Sequence, residues 1–225
     1  MTWPIWSLAT VAVFFAVRWV YGRFRQPWLH PVLWASLILV AVMEAVGRPY
    51  AAYGRDTEWL VWLLGPGVVA LAVPVYRLRG LIAAQARLLA VVVPAALTFS
   101  LASTAALLVL FGAARKVIEA LCLKSVTAAV AFAIAREVNA LPMLAGAATM
   151  VAALLGATAG PWLLRRAGVR DLRAVGLALG CGSHVLGSVR ALELGEEPGT
   201  FASVAMALTA LLAALICPAL FMLFG

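Results

Sequence analysis

The sequence predicts an all-α protein, a polytopic transmembrane helical bundle of about seven or eight membrane segments, some of them broken or re-entrant. Composition is the first observation: 65% of the 225 residues are hydrophobic and 12% are charged, whereas a soluble domain is about half apolar and about a quarter charged. Length is the second observation: a membrane span takes roughly 20 apolar residues, so 225 residues with short turns hold about seven or eight spans. These two observations exclude a soluble enzyme domain, a disordered chain and a disulfide scaffold.

The charge pattern is the third observation. The formal net charge is +8, but the basic residues lie in small groups between apolar runs, which is the pattern of membrane topology and not of nucleic-acid binding. The positive-inside rule places the turn that carries Arg18, Arg23 and Arg25 in the cytoplasm and the N-terminus outside. Membrane lipids are therefore expected partners and nucleic acid is not.

Eight apolar segments follow one another along the chain. They cover residues 4–21, 31–46, 57–76, 88–111, 122–138, 141–164, 174–190 and 201–224, and a short basic amphipathic piece, 113–121, precedes the fifth. The third segment is interrupted by Gly65, Pro66 and Pro74, and the fifth is interrupted around Lys124. A membrane helix can break in this way only where the freed backbone groups meet protein or a water-filled cavity.

The basic loops do not give a single topology. The loops at 77–87 and 165–173 both indicate the cytoplasm, so an even number of crossings should separate them. Three apolar segments lie between them. Either the segment around Lys124 is re-entrant, or one of the two loop assignments is wrong.

The two interrupted segments suggest an internal repeat. Each break is followed by a helix of small residues and then by a long span that contains a proline. Paired broken segments in two halves of a chain point to a transporter site, so an inverted repeat with halves near 31–111 and 113–225 is one interpretation. Chance richness in alanine and valine is the other. Either way the chain is predicted to be a single membrane domain, 1–225.

No catalytic, nucleotide-binding or metal-binding motif is present in the sequence. The chain is therefore predicted not to be an enzyme and to need neither cofactor nor metal. Cys122, Cys181 and Cys217 lie in apolar stretches and are interpreted as free buried thiols.

Most charged residues of the chain lie in predicted loops or at predicted helix ends, but Lys124 does not. It lies among apolar residues, where an unpaired charge is costly. Ser125 and Thr127 can cap or start the helix that follows. A helix start combined with a lysine suits a carboxylate or another small anion. A lysine that reaches to the membrane interface is the competing interpretation, although only two of the 17 basic residues are lysines.

A run of small residues near the C-terminus predicts close helix packing. The residues predicted to break or pack helices there and earlier in the chain are Gly160, Pro161, Gly176, Gly180 and Gly187.

Polar residues accompany this run. Ser183 shares roughly one helical face with Gly187 and Arg190, and His184 is adjacent to it. His184 is either a satisfied packing residue or a hydrogen-bonding or titrating group in a polar cavity. Arg190 and Glu193 are predicted to form an ion pair at the helix end.

These motifs identify a family resemblance. The run Lys124-Ser125-Val126-Thr127, the segment 176–197 and the Leu-Gly-Pro to Val-Pro pattern at 64–74 closely resemble the LrgB/CidB family. The resemblance implies a multi-pass protein of the bacterial cytoplasmic (inner) membrane. The family was first described as antiholin-like regulators of murein hydrolase export and cell lysis, beside a small holin-like LrgA/CidA partner. Its plant members resemble plastidial glycolate/glycerate transporters, and bacterial members are linked to pyruvate uptake.

Together, the residues and the resemblance lead to two expectations. The first is a secondary transporter of small organic carboxylates such as glycolate, glycerate or pyruvate, with Lys124, Ser125, Thr127, Ser183 and His184 as the substrate-binding residues. The alternative is an antiholin-like regulator with no substrate of its own. The expected partners are a small organic anion, a holin-like LrgA/CidA protein and further copies of the chain.

Overall fold

A computed structural model describes residues 5–24, 31–62 and 72–223, and every regular element in those ranges is helical. The helices are α1 (Ile5–Phe24), α2 (Pro31–Val46), α3 (Tyr50–Asp56), α4 (Glu58–Trp62), α5 (Ala72–Arg77), α6 (Arg79–Ala84), α7 (Ala86–Leu110), α8 (Arg115–Cys122), α9 (Ala128–Glu137), α10 (Pro142–Arg166), α11 (Leu172–Leu194) and α12 (Glu196–Leu223). A 3₁₀ turn, Leu123–Ser125, lies between α8 and α9. The predicted all-α membrane bundle is confirmed over these ranges.

Five of the described helices are long and apolar enough to cross a membrane: α1, α7, α10, α11 and α12. The apolar helix α2 is shorter, with 16 residues. The predicted third segment is represented by α4 and α5 at its two ends, and Gly65 and Pro66 lie outside the described residues. Pro74 falls in the first turn of α5, where its missing N–H costs no helical hydrogen bond. The count of seven or eight segments therefore stays a prediction.

The chain divides into two compact units, 1–70 and 71–225. In the first unit, α1 packs against α2 and α3. The buried Ser7 hydroxyl of α1 donates to the carbonyl of Asp56 and accepts a 2.7 Å hydrogen bond from Nε1 of Trp59. Thr10 and Tyr53 share a further hydrogen bond of 3.0 Å. These bonds satisfy polar groups of α1 that face protein.

In the second unit, α11 is the most buried of the five long helices and packs on α12 and α10. One apolar cluster joins α7, α11 and α12 around Val93 and Phe201, both fully buried. A second cluster joins α7, α8, α9 and the C-terminal half of α12. Large apolar residues such as Phe99 and Leu110 remain exposed, as expected for side chains that face lipid.

Three predicted features of the helices differ from the structure. Gly160 and Pro161, predicted to break or pack helices, lie inside the uninterrupted helix α10, which reaches Arg166 with Pro161 buried, an arrangement that a membrane helix tolerates when its neighbours satisfy the freed carbonyl. Helix α12 begins at Glu196, not near 201, because Glu196 and Glu197 in its first turn favour the positive helix start. Only Gly195, at φ 149°, then separates α11 from α12.

The third difference lies inside α11. A continuous helix was predicted over 174–190, but His184 has φ 48° and ψ −126° and interrupts it. Gly187 accommodates the kink, since a Cβ on this residue would lie 2.1 Å from the carbonyl oxygen of Leu179. Ser183 and Gly187 therefore do not share the regular helical face that their spacing predicted.

Candidate functional site

The segment around Lys124 is a helix break. Helix α8 ends at Cys122, and after the 3₁₀ turn Val126 and Thr127 are extended, with φ/ψ of −122°/170° and −64°/147°. Helix α9 begins at Ala128. Thr127 occupies the N-cap position, but its side chain makes no capping hydrogen bond. The N–H groups of the first turn of α9 are thus left without a hydroxyl cap.

The Lys124 ammonium group is held by two hydroxyls. Its Nζ lies 2.8 Å from Oγ of Ser100 on α7 and 3.3 Å from Oγ of Ser125, and the two hydroxyl oxygens are 2.5 Å apart. Ser125 is buried and Lys124 is half-buried. No carboxylate of the described residues forms an ion pair with Lys124. The arrangement fixes a positive charge without neutralising it.

His184 lies beside this cluster. Its ring is 3% exposed, and neither ring nitrogen has a hydrogen-bond partner within the described part of the chain. Helix α11, which carries His184, packs against the 3₁₀ turn that carries Lys124 and Ser125. The kink in α11 and the break before α9 are therefore adjacent in space. Leaving a buried polar group without a partner is costly, which makes His184 a candidate residue of the site.

The helix ends around the cluster favour an anion. Helix α9 starts four residues after Lys124, and the second half of α11 starts directly after His184. Helix starts carry partial positive charge and exposed N–H donors. With the lysine ammonium, these elements form a positive and hydrogen-bond-donating site. Among the residues described, no group of His, Cys, Asp and Glu could hold a metal ion.

Comparison with known proteins places the chain in a family. The model of the LrgB-like family matches residues 10–223. The chain belongs to the LrgB-like family. A relative called "Holin-like protein CidB" from Staphylococcus epidermidis is 31% identical over 96% of this chain and 95% of its own length. A Bacillus subtilis protein called YxaC is 33% identical over 96% of this chain and 94% of its own. No solved structure matches the chain.

Family membership and the apolar helices together make this LrgB-like chain a multi-pass bacterial membrane protein. The structure brings Lys124, Ser125 and His184 of the predicted site together, and it places Thr127 at the adjoining helix start. Ser183 is buried next to His184 and faces α10, where a Cβ on Gly156 would be 1.7 Å from its hydroxyl oxygen.

Other predicted residues of this LrgB-like protein serve helix packing. A Cβ on Gly176 would lie 2.3 Å from the carbonyl oxygen of Pro198, and one on Gly180 would lie 2.2 Å from that of Ala202, so α11 and α12 touch through their backbones. A Cβ on Gly160 would lie 2.9 Å from Cδ2 of Leu179, so this contact to α11 is made by a side chain.

The predicted ion pair at the end of α11 joins Arg190 and Glu193, which are far in sequence from Lys124. Arg190 donates through Nη1 to Glu193, one turn further along the helix. The Arg190 side chain is 17% exposed and that of Glu193 is 46% exposed, so the pair joins a mostly buried arginine to a partly exposed carboxylate.

Sequence reasoning missed Ser100. This residue belongs to α7, which the pattern identified only as an apolar span, yet its hydroxyl makes the shortest contact to the Lys124 ammonium. A hydroxyl between Phe99 and Leu101 is a polar residue in an apolar run, but such a side chain most often bonds to its own helix. Ser100 differs from such residues only because α7 packs beside the 3₁₀ turn, and the sequence does not show that packing.

Proposed function

We propose that this LrgB-like protein is a secondary transporter of small organic carboxylates of the glycolate, glycerate and pyruvate class. The observation that carries the proposal is the Lys124 ammonium, fixed by the hydroxyls of Ser100 and Ser125 with no carboxylate partner in the described residues. An ionisable residue inside a membrane segment is costly and is by default a candidate functional residue.

Each residue of the site has a role that follows from its chemistry. The carboxylate accepts hydrogen bonds from the Lys124 ammonium and from the first N–H groups of α9, at the end of the Thr127 break. Ser125 and Ser183 supply hydroxyls for the second carboxylate oxygen or for the hydroxyl or keto oxygen at the adjacent carbon. His184 orients the substrate or carries a coupling proton, because both of its ring nitrogens lack partners within the described chain.

The helix breaks support movement of the site between the two sides of the membrane. Broken helices whose ends meet near the middle of a bundle are common at transporter sites. Here the breaks at Val126–Thr127 and at His184 lie next to each other. Small residues at Gly156 and Gly180 allow α10, α11 and α12 to approach closely.

Uptake into proteoliposomes tests the proposal. Purified protein is reconstituted and screened with labelled two- to four-carbon carboxylates, with and without an imposed proton gradient. We expect saturable uptake of a hydroxy- or keto-acid that is lost in Lys124→Ala. Arg136→Ala removes an exposed charge near the end of α9 and is the matched control, with uptake expected to be unchanged. Equal uptake by Lys124→Ala and the parent protein would refute the site.

A second candidate function is antiholin-like regulation of murein hydrolase activity and cell lysis, acting with a holin-like LrgA/CidA partner. The observation that favours it is the name "Holin-like protein CidB" of relatives that match nearly the whole chain. This function requires co-purification with a small holin-like protein. It also requires lysis phenotypes that Lys124→Ala leaves unaffected, whereas a phenotype that depends on transport would be lost with this lysine.

A further inference from the structure

A separate cavity of about 590 Å³ lies between α7, α8 and α12 in the second unit. Its walls are mostly apolar and include Leu101, Ala105, Ile118, Ile216 and Leu220. Leu101 and Cys122 line it, whereas Ser100, one residue before Leu101, and Lys124, two residues after Cys122, do not. The cavity is therefore not the carboxylate site.

The cavity opens toward the surface that faces lipid. Two of its three walls are the membrane-length helices α7 and α12. At its edge, Val109 is 64% exposed and Ile216 is 44% exposed. A hydrocarbon chain in the bilayer can reach such an opening without crossing water, and an apolar lining suits that chain.

One end of the cavity is polar and lies at the ends of both long helices. Nε of Arg115 donates to the buried carboxylate of Glu119 at 2.7 Å, and Nη2 donates to the carbonyl oxygen of Phe221 at 2.8 Å. Phe221 is two residues from the end of α12, and Arg115 follows the end of α7 by five residues. The ends of helices that cross a bilayer lie near its headgroups, so a polar group at the ends of α7 and α12 is placed to meet one.

The segment at the polar end has an excess of positive charge: Arg115 lines the cavity, and its neighbour Lys116 is exposed outside the lining. Glu119 balances one of two adjacent bases, Arg115 and the exposed Lys116. The two hydrogen bonds of Arg115 use two of the five N–H groups of its guanidinium, and its side chain is about half exposed, 53%. Donors therefore remain for a phosphate. Basic pockets between membrane helices are typical sites for anionic headgroups.

We propose that this cavity binds one anionic phospholipid of the membrane, with an acyl chain between α7 and α12 and its phosphate at Arg115 and Lys116. The apolar walls account for the chain, and the basic helix ends account for the preference for negative headgroups. The lipid fills the space beside the second apolar cluster, next to Leu101 and Cys122.

Native mass spectrometry of the full chain in mild detergent tests this proposal, with phosphatidylglycerol and phosphatidylcholine titrated separately. We expect one tightly retained phosphatidylglycerol per chain and weaker retention of phosphatidylcholine. Ala102→Trp fills the cavity from α7 without touching a charge and should remove the retained lipid. Ala106→Trp, at an exposed position one turn away that does not line the cavity, should retain it.

Lys116→Gln tests the headgroup separately from the chain. One basic residue near a membrane surface changes affinity for anionic lipid by about fivefold, so the preference for phosphatidylglycerol should fall by about that factor. Equal retention of both lipids by the parent protein would overturn the proposal, as would equal lipid retention by the two tryptophan variants. A change of oligomeric mass in Ala102→Trp alone would overturn it too, because the cavity would then hold a second copy of the chain.

Discussion

The contact between α11 and α12 predicts a large effect from one methyl group. Gly180→Ala would place a Cβ 2.2 Å from the carbonyl oxygen of Ala202 and 2.7 Å from its Cα. Ordinary contact begins near 3.4 Å. The obstructing atoms are backbone, so no side-chain rotation relieves the overlap and the two helices must separate by about 1 Å. Overpacking of this kind costs about 1–3 kcal/mol.

Gly182→Ala is the matched control, two residues further along the same helix. No atom lies within 4 Å of a Cβ at Gly182. Alanine is favoured over glycine inside a helix by about 0.5–1 kcal/mol, so this variant should be as stable as the parent protein or slightly more stable. The two substitutions therefore differ by about 1.5–4 kcal/mol in the free energy of unfolding, although both add the same atom.

Thermal unfolding in detergent with a thiol-reactive fluorophore measures this difference. Cys122, Cys181 and Cys217 are all free and buried, so the dye reacts only as the second unit opens. We expect a lower melting temperature for Gly180→Ala and an unchanged or higher one for Gly182→Ala. Equal melting temperatures for the two variants would refute the backbone contact between α11 and α12.

Two further predictions concern the site. Ser100→Ala removes the 2.8 Å hydrogen bond to Lys124. It should weaken carboxylate binding by about ten- to a hundredfold, since a hydrogen bond to a charged group is worth about 1.5–3 kcal/mol. In the control, Ser103→Ala, the lost hydroxyl bonds only to the Ser100 carbonyl among described residues, and carboxylate-dependent thermal stabilisation of the two variants gives the comparison. Gly156→Ala would place a Cβ 1.7 Å from the Ser183 hydroxyl oxygen. It should reduce uptake in proteoliposomes while the protein still inserts, and uptake equal to that of the parent would contradict a role for this hydroxyl.

Much of the fold could be predicted from the sequence because hydropathy and charge act locally. The predicted segment 88–111 corresponds to α7, Ala86–Leu110, and the break around Lys124 corresponds to the 3₁₀ turn and the extended residues after it. A lysine among apolar residues is conspicuous in a chain with only 12% charged residues. Because charged residues are scarce, the few groups of them also indicate where the apolar segments end.

The rest of the site depends on tertiary packing. The kink at His184 could not be predicted, since glycine-rich membrane helices are commonly continuous and only the approach of the Leu179 carbonyl to Gly187 reveals the bend. Ser100 could not be predicted because hydroxyls in apolar helices usually bond to their own backbone, as Thr104 does here with the Ser100 carbonyl at 2.7 Å. The sequence paired the Lys124 break with Gly65 and Pro66, which lie outside the described residues, and it gave no sign that α11 packs against the turn at Lys124.

The central claim is that Lys124 binds a small carboxylate, and the side-chain nitrogen of this residue can be observed directly. The chain contains two lysines, Lys116 and Lys124, so protein labelled with ¹⁵N at lysine Nζ gives two signals, which Lys116→Arg assigns. Titration with glycolate or pyruvate in membranes should shift the Lys124 signal saturably and leave the Lys116 signal in place, and chloride should not reproduce the effect. If neither signal moves, or if both move together with carboxylate and chloride alike, Lys124 is not the carboxylate site.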